Sequence, residues 1–127
     1  MKQEAKESAF QRIKDAEEFI ESSGDDIIKG RFKAAVVGAG DAVIAANDAF
    51  TIFFIEEKAS RDHSEAITIH KKAGMKINEN KVMILKNLLD ERHRHGYRAV
   101  QTSKNVAEKD VYQAKVFIKW VREKMIR

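Results

Sequence analysis

The sequence contains no cysteine and no proline. Without cysteine there is neither a disulfide framework nor a thiolate metal site. Without proline the chain lacks the punctuation that strand-and-turn proteins use, which favours helices. An apolar core of a signal peptide is missing too: "MKQEAKESAFQRIK" is charged throughout. The longest mostly apolar run, residues 42–55, contains Asn47 and Asp48. It is shorter than the roughly 20 residues a membrane-spanning helix needs. The expectation is a soluble, cytoplasmic protein with no membrane partner.

Several chemical signatures are also absent. "GAGDAV" at residues 38–43 begins like a dinucleotide fingerprint, but its third glycine and any βαβ context are missing. It reads as a helix-packing seam. No serine stands in a nucleophile elbow. His63 and His70 are seven apart, on one face of a helix, but no H-E-x-x-H motif exists and spacing implies no third ligand. No cofactor and no metal are expected.

What is present is charge, alanine and helical period. Charged residues make up 35% of the 127, as in amphipathic helices with solvated outer faces. The length suits a single domain spanning residues 1–127. Residues 1–60 hold 8 Lys/Arg and 12 Asp/Glu, net −4, whereas residues 61–127 hold 16 and 8, net +8. A basic second half can attract a polyanion, or it can be no more than lysine-rich helix faces in water.

Apolar spacings of three and four predict five helices. The first covers residues 2–22, ended by Gly24, with Asp25 or Asp26 free to cap the next. The second covers 26–58. Unbroken, it would measure about 45 Å. Its small residues Ala35, Gly38, Ala39, Ala42, Ala46 and Ala49 let another helix come close. The third covers 63–73, opened by Asp62-x-x-Glu65, a capping-box pattern, and closed by Gly74. The fourth covers 78–95 and stops at Gly96. The fifth covers 106–126, capped by Asn105-x-x-Glu108. Short connections between long helices imply an all-α, up-down bundle of antiparallel helices with the second as its spine.

The chemistry-bearing stretch is "DERHRHGYR", residues 90–98. Arg92 and His95 are i and i+3 on a helix, neighbours on its surface. Arginine offers a fixed fork of donors to phosphate. Histidine exchanges a proton near neutral pH, and Tyr97 adds a hydroxyl and a stacking face. A metal-independent ribonuclease needs that set. The same residues can merely complement the dipole at a helix end. Asp41 and Asp48, seven apart inside the most apolar helix, need partners. Arg92, His63 or a lysine could supply them.

Four segments together resemble the HEPN domains, in particular the small stand-alone prokaryotic and archaeal ones. They are "IIKGRFKAAVVGAGDAVIAAND", "AANDAFTIFFIEEKASRDHSEAI", "ILKNLLDERHRHGYRAV" and "NVAEKDVYQAKVFIKWVREK". Their order resembles the family's alanine-rich second helix, its N/S-D-A segment leading to the histidine that opens helix three, its arginine-to-tyrosine ending of helix four, and its closing helix. The resemblance covers residues 10–126. It implies a four-to-five-helix bundle, commonly a homodimer. Active members are metal-independent endoribonucleases, some of them toxins paired with a nucleotidyltransferase-like antitoxin. His95-Gly96-Tyr97 matches the family's His-x-Tyr ending. Arg92 stands three residues before His95, where active members place the arginine four to six before. The resemblance therefore implies a chain that binds nucleotide or RNA phosphate and is catalytically weak or inactive. The site it implies has Arg92 as phosphate clamp, His95 as acid/base and Tyr97 as support. Arg94 and Arg98 would be further phosphate contacts, and Asp48 and His63 supporting polar groups. The alternatives are the ribonuclease toxin and a module that docks a nucleotidyltransferase-like protein.

Overall fold

A computed structural model describes residues 2–59 and 62–126. It contains five helices: α1 (Gln3–Ile28), α2 (Phe32–Ile55), α3 (His63–Gly74), α4 (Val82–Tyr97) and α5 (Lys104–Met125). No strand occurs among the described residues. The expected all-α bundle and its spine are therefore present: α2 touches all four other helices.

The reason is the small-residue seam. Ala35, Ala39, Ala42, Ala46 and Ala49 are all fully buried, so partner backbones come close. Gly38 and Gly40 serve two different neighbours. A Cβ on Gly38 would strike Ser23 of α1, and one on Gly40 would strike Cβ, Cγ and Cδ of Arg92 on α4. The "GAG" triplet is thus a packing seam on two sides at once, with Ala39 in the core between them. By length and composition α2 could cross a membrane, with a window of mean hydropathy 1.3, yet 67% of that window is buried within the bundle.

The core centres on Phe50. Its ring lies 4.9 Å from Trp120 and 5.0 Å from the His70 imidazole, with Phe117 beside both. Leu85, Leu88 and Leu89 close it from α4, and Ile13, Ala9 and Ala16 from α1. Arg122 of α5 grips Glu17 of α1 with two bonds, at 2.6 and 2.7 Å.

Boundaries differ from expectation in α1, α4 and α5, and in α2, which spans Phe32–Ile55 where 26–58 was expected. α1 runs through Gly24, because Ile20, Ser23 and Ile27 continue its inward face. It stops at Gly30, whose φ is +75°. There the Gly30 amide donates to Ile27 O and the Arg31 amide to Asp26 O, the paired bonds of a Schellman ending. Asp25 and Asp26 therefore belong to α1, and neither caps α2. α4 begins at Val82, four residues later than expected, because Asn78 takes a left-handed φ of 57° in the turn before it. It also passes through Gly96, which lies against Val37 of α2. α5 is capped by Ser103, whose Oγ accepts from the Val106 amide, rather than by Asn105. The Asp62 cap forms as expected, accepting from the Glu65 amide at 2.9 Å.

Candidate functional site

The start of α3 and the end of α4 lie side by side. There the chain gathers His63, Arg92, His93, Arg94, Tyr97 and Arg98 into one surface. Helical spacing explains the set. His93 and Tyr97 are i and i+4, and their rings sit 5.4 Å apart. The last turn of α4, beyond Gly96, is what brings Tyr97 there. Lys33 of α2 fastens this end by donating to the carbonyls of His95 and Val100. It thereby satisfies a carbonyl that the helix terminus leaves open.

His63 and His93 meet edge to face, with ring centroids 6.2 Å apart. An open depression lies on each side of them. One, of about 580 Å³, is bounded by Ser64, Arg92 and Tyr97 as well as the two histidines. The other, of about 380 Å³, is bounded by Asp90, Arg94 and Arg98. His63 Nδ1 is 3.9 Å from the Asp90 carboxylate.

Arg92 is positioned from two sides. Gly40 lets its side chain lie flat against α2, and Nε donates to Asp41 Oδ1 at 2.7 Å. Its guanidinium lies 6.0 Å from the Tyr97 ring centre. Partial burial works against its charge, but the hydrogen bond and charge of Asp41, with Tyr97 adding to them, outweigh it and hold Arg92 above its ordinary pKa. Of the partners sequence offered for the two α2 carboxylates, Asp41 takes Arg92. Asp48 takes one that sequence did not suggest: Arg12 of α1 donates to its Oδ2 at 3.1 Å. Burial pushes the Asp48 carboxyl up and Arg12 works against that.

Below the open surface lies a more enclosed cavity of about 280 Å³ between α2, α3 and α4. Ile44, Ala66, Leu85 and Leu89 form its apolar wall, and Asp48 lines it. It shares His63, Arg92 and Asp62 with the larger open depression. Asp48 and His63 are thus brought to one site, along with Arg92.

His95 is not part of that surface. It is 4% exposed, with Nε2 donating to Glu91 at 3.1 Å and Nδ1 at 2.7 Å from the Thr102 hydroxyl. The expected surface acid/base at this position is a buried strut that ties α4 to the 98–103 connection. The signal was available: His95 is seven residues after Leu88, so it continues the inward stripe rather than the face of His93.

Two buried titratable groups stand apart from the cleft. His70 is fully buried; its Nδ1 donates to Asn47 Oδ1 at 2.8 Å and its Nε2 accepts from the Lys81 amide at 3.0 Å. Burial lowers its pKa to about 4. Asp110 of α5 is fully buried, and neither carboxyl oxygen has a hydrogen-bond partner among the described residues. Burial, and then the charge of Glu91, raise it to about 7. Sequence reasoning passed over it, although Ala107 and Ala114, three before and four after, mark its face as inward.

Among the described residues no cluster of three His, Asp or Glu side chains could hold a metal ion. Compared with models of protein families, the chain matches none, and no curated protein sequence matches it.

Proposed function

We propose that the chain is a HEPN-like protein that binds the phosphate of a nucleotide or an RNA strand in the cleft between α3 and α4. The observation that carries this reading is the convergence of three arginines, two histidines and a tyrosine on one open surface. Guanidinium and imidazole groups are the side chains best suited to phosphate oxygens. Tyr97, 69% exposed, offers a face on which a base can stack. The net +8 of residues 61–127 adds long-range attraction.

Fluorescence anisotropy with a labelled RNA oligomer, over a series of salt concentrations, tests it. Arg94→Ala and Arg98→Ala together should weaken binding at least tenfold and reduce the salt slope by about one per arginine removed. Wild-type binding by the double variant would reject the cleft.

A second reading is favoured by the His63–His93 contact. Two imidazoles 6.2 Å apart could divide the base and acid roles of RNA cleavage. On that reading the same oligomer is cut in EDTA, and His93→Ala abolishes the cutting. An intact oligomer leaves binding alone. A docked nucleotidyltransferase-like protein would cover the same basic surface.

A further inference from the structure

The enclosed cavity beneath the cleft has a chemistry of its own. Ile44, Ala66, Leu85 and Leu89 give it an apolar wall, with Asn47 and Asp48 as polar side chains on α2 and with Asp62, His63 and Arg92 at the side it shares with the cleft. The Asn47 amide is already engaged by the Ala66 carbonyl and the His70 imidazole, which leaves Asp48 as the acceptor in that wall. At about 280 Å³ it is close to the lower limit of about 300 Å³ for small-molecule sites. It can take a planar ring system but not a whole nucleotide. The remainder has somewhere to go, because the cavity opens beside His63 and Arg92 into the phosphate-facing depression of about 580 Å³.

Asp48 decides which ring. It is 7% exposed, and Arg12 engages its Oδ2. Each carboxylate oxygen accepts two hydrogen bonds, so capacity remains for donors from a ligand. In its ionised form, paired with Arg12, the carboxylate accepts and does not donate. It suits an edge that presents two adjacent N–H donors, and it repels an edge that presents a lone pair. Guanine offers N1–H and N2–H side by side. Adenine offers N1 as an acceptor, and hypoxanthine offers N1–H alone.

We infer that the cavity is a base pocket for guanine, with Asp48 accepting from N1–H and N2–H, the aliphatic wall flanking the ring, and the 5′-phosphate lying in the cleft at Arg92 and His63. The inference rests on the phosphate reading of that cleft and adds the base it selects.

Calorimetric titration of the full chain with GMP, IMP, AMP and ribose 5-phosphate tests it. GMP should bind about tenfold tighter than IMP, which lacks the 2-amino donor, and about a hundredfold tighter than AMP. Ribose 5-phosphate should be weaker than GMP by a comparable margin. Asp48→Asn, with circular dichroism confirming the helices, should erase the GMP preference while leaving ribose 5-phosphate affinity unchanged. Should that variant unfold, the wild-type ligand series still decides. Equal affinity for all four ligands would overturn the base pocket and leave the phosphate cleft standing. GMP preference persisting in folded Asp48→Asn would also overturn it. No binding of any of the four, with labelled RNA unbound as well, would remove cleft and pocket together.

Discussion

His95 and His93 are two residues apart and do opposite things. A helix advances about 100° per residue, so the step of two carries one imidazole from solvent to interior. His93 stands between two open depressions, while His95 bridges Glu91 and Thr102 inside. Truncating His95 removes both bridges and leaves a half-buried carboxylate and hydroxyl without that partner, a loss of roughly 1–3 kcal/mol. His95→Ala should therefore lower the urea midpoint by that equivalent and leave RNA affinity of the folded protein unchanged. Affinity that falls with unchanged stability would return His95 to the site. The residue types of the site were legible in the sequence because Arg, His and Tyr cluster in 90–98. Their facing was less so, because it depends on where the helix ends. Gly96 looks like a stop, yet it sits in the helix to let Val37 approach. Arg12 was not legible as the partner of Asp48: they are 36 residues apart, and only the packing of α1 on α2 joins them.

Among the elements, the first connection shows why boundaries are harder to read than helices. Two glycines compete to end α1. Gly24 has no heavy atom within 4 Å of where a Cβ would stand and lies in the helix, whereas Gly30 also has open space but a φ of +75°. Glycine in a helix interior costs roughly 1 kcal/mol relative to alanine. An alanine forced into the left-handed region costs roughly 1–2 kcal/mol. Gly24→Ala should thus raise the unfolding midpoint and Gly30→Ala should lower it. If both shift in the same direction, the helix boundary is misplaced. Apolar spacing gave all five helices, because each must bury a stripe. It could not rank the two glycines, because what separates them is the inward course of Ile20, Ser23 and Ile27 against a surface that the sequence does not display. The capping pattern before α3 was readable for the opposite reason: Asp62 and Glu65 complete it within four residues.

At the scale of the whole molecule, two buried groups pull stability in opposite directions as pH changes. Asp110 rises from 3.8 to about 7 on folding, and His70 falls from 6.5 to about 4. Below pH 3.8 Asp110 is protonated in both states. Between there and about 7 the unfolded chain releases a proton that the folded chain keeps, so stability is lost as pH rises. His70 has the reverse sign. Above 6.5 it is neutral in both states. As pH falls toward 4 the unfolded chain takes up a proton that the buried imidazole, pinned by Asn47 and the Lys81 amide, refuses, so stability is lost on acidification. Across roughly pH 4 to 6.5 the two slopes oppose each other, one proton against one, and wild-type stability changes little on their account. Single variants should separate them. The stability difference between Asp110→Asn and wild type should grow steadily in the variant's favour from about pH 4 to 7. The difference for His70→Gln should be most favourable to the variant at low pH and shrink as pH approaches 6.5. Urea titrations at half-unit intervals read both curves directly. A flat difference for Asp110→Asn would mean that this carboxyl ionises as freely in the bundle as in the unfolded chain, and its fully buried position on α5, facing the charge of Glu91, would have to open to water to allow it.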